Sequence, residues 1–179
     1  MWPNLANAVG FQLVWLCCVA GAGSGRGWLG PIAALVFAAL TLAFGGNARS
    51  DLRLLALALP LGFGFDSALA ASGWLHYAQP WPSALAAPAW ILALWAGFAL
   101  TLNHSLAFLR QHPVWSLLLG LIGGPLAYLA AERGFHAVIF QPPTILPLLA
   151  LALGWAVALP LLFWLDRLSS SVTAKGVAV

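Results

Sequence analysis

The stretch Leu54-Leu55-Ala56-Leu57-Ala58-Leu59-Pro60-Leu61-Gly62-Phe63-Gly64-Phe65-Asp66-Ser67-Ala68-Leu69 decides how this chain is read. With its flanks it is apolar for long enough to cross a bilayer, which takes about 20 residues for a hydrocarbon core of roughly 30 Å. Asp66 stands inside it. A carboxyl group in hydrocarbon is costly, so such a residue faces a bundle interior or a wet cavity. The chain has only 4 acidic residues among 179, and one of them is here.

Composition extends this reading to the whole chain. It is 63% hydrophobic and 6% charged, against about 25% charge in soluble domains. So few charges cannot make a polar exterior, and the solvent of the fold is lipid. The net charge of +3 is no nucleic-acid signal, because the basic residues stand singly between apolar runs. Cys17 and Cys18 are adjacent within an apolar run and read as small core or lipid-facing side chains.

Six apolar runs approach spanning length, at 4–22, 28–44, 53–75, 88–109, 114–133 and 145–165. The breaks hold turn chemistry: Gly23-Ser24-Gly25-Arg26-Gly27, Gly45-Gly46-Asn47, Gln79-Pro80-Trp81-Pro82, Gln111-His112-Pro113 and Gln141-Pro142-Pro143. The expectation is an all-α polytopic membrane protein, a bundle of about six transmembrane helices. Residues 1–168 would form the single domain and 169–179 a short polar cytoplasmic tail. The first run carries Asn4, Asn7 and Gln12 and lacks a basic leader, so it reads as a span and not a cleaved signal peptide. With six spans, Arg49, Arg53, Arg110, Arg167 and Lys175 share one side, and Arg26 and Arg133 the other. The positive-inside rule then puts both termini in the cytoplasm. Trp2, Trp28, Trp74, Trp81, Trp115 and Trp164 fall near run ends, whereas Trp15, Trp95 and Trp155 fall deeper and pack in the bundle. Runs three and five also resemble each other, with Gly62-Phe63-Gly64 and Gly123-Gly124-Pro125 each leading to a Pro-rich outer loop, as two tandem hairpins would.

Rise per residue sets rough depths for the polar groups. Asp66, Tyr128 and Trp95 all come at roughly 20–22 Å from the inner face, so they can share one layer. Tyr128 can then donate its hydroxyl to Asp66, and Trp95 can wall the site or donate its indole N–H. His104 comes at roughly 9 Å, beside Asn103 and Ser105, with Asn7 at similar depth and Gln12 between the two layers. If run four is one helix, Thr101, His104, Ser105 and Phe108 share a face. Asn103 then points roughly 100° away from His104, and the two cannot face one neighbour. Asp66 and His104 are about 11 Å apart in depth and are not paired directly.

Two readings stand side by side. Asp66 and His104 are the catalytic acid/base candidates, and Gln12, Trp95, Asn103 and Tyr128 the substrate-binding ones. Alternatively, Asp66 is a buried neutral acid bonded to Ser67, Tyr128 or a backbone carbonyl, and His104 a packing residue bonded to a neighbour such as Asn7. Glu132, Arg133 and His136 read as solvated residues at the outer interface, His76 and His112 as loop residues. No HxxxH, HxxE or CxxC spacing occurs, so neither metal nor cofactor is expected. No GxSxG elbow, P-loop, dinucleotide fingerprint or Asp-rich motif is present.

Several of these segments together resemble a bacterial family, domain-of-unknown-function family 2878. They are Asn7 to Trp15, Gly62 to Ser67, Pro88-Ala89-Trp90 through Trp95, Phe98, Leu102 to Ser105, and Gly123 to Tyr128. They span about residues 4 to 165. The resemblance implies an integral inner-membrane protein of Gram-negative bacteria, with a link by gene neighbourhood to lipid modification. It supplies no reaction. Membrane lipids are the expected partners and nucleic acid is not; a membrane protein partner or a second copy stays open. The functions left in play are a small membrane enzyme or enzyme-accessory protein acting on a lipid or other apolar substrate, a small transporter or proton-coupled carrier, and a structural or assembly subunit of a membrane protein complex.

Overall fold

The computed structural model describes the backbone of residues 2–176 and the side chains of 3–169. Six α-helices follow one another: α1 Trp2–Gly23, α2 Leu29–Phe44, α3 Ala48–Ala71, α4 Ala89–Ala99, α5 Pro113–Phe135 and α6 Ile145–Gly176. A 3-10 turn, Ala107–Gln111, leads into α5, and two short strands, β1 Leu75–Tyr77 and β2 Val138–Phe140, follow α3 and α5. Helices α1, α3, α5 and α6 are long and apolar enough to cross a membrane. Helix α2 and especially α4 are shorter. Lys175 and the end of the expected tail lie outside the described side chains, although α6 itself runs on to Gly176.

The core is apolar, yet acids are buried and large apolar side chains are exposed, unlike a soluble protein. Asp51 and Asp66 are 0% exposed and Asp166 2%, while Leu35 is 70% exposed and Phe44 84%. Acids are almost never fully buried in water-soluble folds unless paired. Hydrocarbon outside and polar groups inside is the order expected where lipid is the solvent.

Helix α4 is the centre of the bundle. It packs on α1, α2 and α3, and Trp90, Ile91, Ala93, Trp95, Gly97 and Ala99 are buried. The expected continuous span 88–109 is wrong here, because α-helix stops at Ala99. Beyond it the bonds are mostly of the shorter kind, Thr101 N–H to Phe98, Leu102 to Ala99 and His104 to Thr101. The cause lies in the polar cluster Thr101-Leu102-Asn103-His104-Ser105. The Thr101 hydroxyl donates to the Phe98 carbonyl (2.6 Å). Asn7 on α1 donates to the freed Leu100 carbonyl (3.1 Å) and accepts from the Ser105 N–H and hydroxyl (3.3 and 2.7 Å). Irregular backbone at membrane depth survives only when it is satisfied within protein. Asn7 supplies that satisfaction.

The loops after α3 and α5 close against each other. β1 and β2 pair antiparallel, Leu75 with Phe140, His76 with Ile139 and Tyr77 with Val138, and the flanking bonds Ala78 N–H to Ala137 and Gln141 N–H to Trp74 continue the ladder. His76 therefore lies in a strand and not in a free loop. The register is two-fold symmetric about His76 and Ile139, and it joins the ends of the two helices whose sequences resemble each other.

Candidate functional site

Asp66 receives three hydrogen bonds. Tyr77 of β1 donates its hydroxyl to Oδ1 (2.7 Å), Trp95 of α4 donates its indole N–H to Oδ2 (2.7 Å), and Tyr128 of α5 donates its hydroxyl to Oδ1. The elements place these groups for local reasons. Gly62 sits one turn before Asp66, and a Cβ there would overlap the Trp95 ring. The bare backbone lets the indole lie across α3 and reach the carboxyl. Tyr77 is on the inward face of β1, edge-on to Trp90, whose own N–H goes to the Ala78 carbonyl (2.8 Å). Among the described residues no Lys, Arg or His lies within ion-pair distance of Asp66. The cluster is a carboxyl group held by neutral donors, and burial makes each donor expensive to lose.

Beside it is a cavity of about 560 Å³. Phe11, Gln12 and Trp15 of α1 form one wall, Leu119, Gly123 and Tyr128 of α5 another, and Trp95, Phe98 and Trp155 the back. Trp95 and Trp155 are stacked at 4.4 Å, with Phe98 edge-on to Trp155 at 5.2 Å. Trp155 can lie there because a Cβ on Gly120 would overlap the Trp155 backbone, so α5 and α6 touch main chain to main chain. Helices α1 and α5 converge where Trp15 meets Phe135 edge-on at 5.8 Å. The α5 rim carries Leu119, 40% exposed, and Leu126, 58% exposed, so the cavity reaches the apolar outer surface. Polar groups are few. Thr101 and Ser105 are spent on internal bonds. Gln12 is exposed and has no hydrogen bond among the described residues. The Trp155 indole N–H is buried next to the Tyr128 hydroxyl without a well-formed bond of its own.

A second polar cluster closes the other end of α3. His104 Nε2 lies 3.0 Å from Asp51 Oδ2, and Asn103 Nδ2 donates to Asp51 Oδ1 (2.8 Å). The expectation that Asn103 and His104 face different neighbours fails, because the chain is no longer α-helical there. His104 is bonded to Asp51 and not to Asn7. Arg110 joins Asn103 Oδ1 (2.8 Å) to Asp166 Oδ2 (2.9 Å), and Arg53 donates to Asp166 Oδ1 (3.2 Å). At 1.5 Å per residue, Asp51 and Asp66 are roughly 22 Å apart along α3.

The predicted residues thus divide. Gln12, Trp95 and Tyr128 line the cavity, Asp66 stands behind Trp95 and Tyr128 without lining it, and Asn103 and His104 belong to the distant cluster. Sequence reasoning missed Tyr77, Asp51 and Asp166. Asp51 follows the Gly45-Gly46-Asn47 break and was legible as an acid in the first turn of a helix. Tyr77 had only the short alternation Leu75-His76-Tyr77 as a signal.

Neither a curated protein nor a solved structure matches the chain. A family model does, over residues 4–161, which is most of its length: the chain belongs to the family described as "Protein of unknown function (DUF2878)".

Proposed function

We propose that this protein takes an apolar ligand, a membrane lipid or comparable hydrocarbon, from the bilayer into the cavity between α1 and α5, and acts on it there or presents it to a partner enzyme. The observation that carries the reading is the cavity, about 560 Å³ of aromatic and aliphatic wall with its rim at Leu119 and Leu126. Single-ligand sites run from roughly 300 to 1,000 Å³. In a chain whose exterior is apolar, that rim supports access from lipid. Gln12 supports a ligand with a polar end, since an unpaired amide in hydrocarbon is unfavourable until something bonds it. In this reading Tyr128, Gln12 and Trp155 touch the ligand, and Asp66 is a positioning residue that orients Tyr128 and Trp95. His104 and Asn103 hold the fold at the other end.

The proposal includes a bacterial inner-membrane location with both termini cytoplasmic, supported by the five basic residues on that side against two on the other. A carrier is the second reading. It draws on the break in α4, because interrupted helices line transport sites, and it requires a further opening to one membrane face.

The test is native mass spectrometry of wild type and Gly123→Phe in mild detergent. Gly123 lines the cavity, and a Cβ there meets nothing nearer than Leu119 at 3.6 Å, so a larger side chain fills the space without moving backbone. An acyl lipid should co-purify with wild type and fall at least tenfold in the variant, at unchanged melting temperature. Equal lipid retention in both proteins sinks the reading.

A further inference from the structure

A smaller crevice lies at the opposite end of the bundle, among the 3-10 turn, α5 and α6. Its volume is about 110 Å³, and Arg110, Pro113, Ser116, Phe163, Trp164 and Arg167 line it. Ser116 is 1% exposed and its hydroxyl has no hydrogen-bond partner among the described residues. A buried hydroxyl left unpaired is a net cost to the fold. It is therefore a feature that a ligand would explain.

The electrostatics name the ligand's charge. Asp166 is shared by Arg53 and Arg110, at 3.2 and 2.9 Å, and Arg167 adds a third guanidinium, donating to the Arg110 carbonyl. The chain's three other acids are placed elsewhere, Asp51 against His104, Asp66 in its cluster of donors and Glu132 on the Phe140 N–H. Arg53 and Arg110 share one carboxylate there, so among the described residues the corner holds more positive than negative charge. It is also the start of α5, with Pro113 at the first position and no side chain capping it. The N–H groups of a first turn lack intrahelical partners and carry the positive end of the helix dipole, which favours anions.

We propose that this crevice binds a phosphate group, with Arg110 and Arg167 as the charged contacts and the Ser116 hydroxyl as a donor. A phospholipid headgroup is the source the surroundings favour. Trp115 and Trp164 flank the crevice and are 63% and 56% exposed, as indoles at a membrane–water boundary are. The residues involved are distinct from those of the larger cavity, so either proposal survives failure of the other.

The full chain in a non-ionic detergent is titrated, at fixed ionic strength, with short-chain phosphatidylglycerol, with inorganic phosphate and with oleate, and thermal unfolding is followed. A ligand that binds only the folded state raises the melting temperature in proportion to its occupancy. Phosphatidylglycerol should stabilise wild type, with affinity falling at least fivefold in Arg167→Gln and in Ser116→Ala. Without ligand, Ser116→Ala should be as stable as wild type or more so, because the hydroxyl it removes is unpartnered. An equal response to inorganic phosphate at matched concentration would support the phosphate site and assign it a soluble ligand. No response to either phosphate compound, an equal response to oleate, or wild-type affinity in both variants overturns the proposal.

Discussion

Tyr128 serves two surfaces at once: its hydroxyl donates to Asp66, and the same side chain walls the large cavity. Anything bound beside Tyr128 is therefore coupled to a carboxyl group that it does not touch. Tyr128→Phe removes one of three donors and leaves Oδ1 to Tyr77. The expected loss of stability is about 1–2 kcal/mol. Asp66→Asn should cost more, about 3 kcal/mol, because the amide keeps only one acceptor oxygen: with it on the Trp95 indole, both tyrosine hydroxyls lose their acceptor at once and must turn to accept from the NH2. Unfolding of both variants in matched micelles checks the order. An Asp66→Asn protein as stable as Tyr128→Phe would contradict the three-donor geometry.

Gly62 and Gly64 lie two residues apart on α3 and should respond oppositely to one added methyl. At Gly62 a Cβ would overlap the Trp95 ring, and at Gly64 it meets nothing within 4 Å. Gly62→Ala must displace a fully buried indole that is bonded to Asp66, which costs about 1–3 kcal/mol. Gly64→Ala should be neutral or gain up to about 1 kcal/mol from helix propensity. Tryptophan fluorescence and unfolding of the pair distinguish the two. Similar behaviour would mean that Trp95 does not depend on the bare backbone of α3.

The layer containing Asp66, Trp95 and Tyr128 was legible in the sequence because it needed only helix rise from recognisable ends. Long apolar runs fix those ends well, and an error of a few residues leaves a depth nearly unchanged. The other end of the bundle was not legible. Phase arguments there assumed that run four stays α-helical, and Asn7, 93 residues away in the chain, donates to the Leu100 carbonyl and so lets it stop. Asp51 and Asp166 escaped because a charged residue beside a predicted loop looks solvated. Only the packed bundle shows them covered, Asp51 by His104 and Asn103, and Asp166 by two arginines. Tyr77 escaped because the strand that orients it exists only through pairing with β2.

The Asp51–His104 contact tests whether that end of the molecule is a structural clasp. Both residues are buried, at 0% and 9% exposed, with 3.0 Å between them. Asp51→Ala strands the His104 ring and leaves the Asn103 Nδ2 only its bond to Ser50, and His104→Ala strands one carboxyl oxygen. Each should cost about 3 kcal/mol, the scale for breaking a buried charged or hydrogen-bonded pair. The double variant should fall short of the sum by about 1–3 kcal/mol, because the second substitution removes a group already left without its partner. Additive losses would mean that the two residues act separately. Neither residue lines the large cavity. At temperatures where the variants remain folded, lipid retention should therefore match wild type, and a parallel loss of lipid would instead tie the clasp to the ligand.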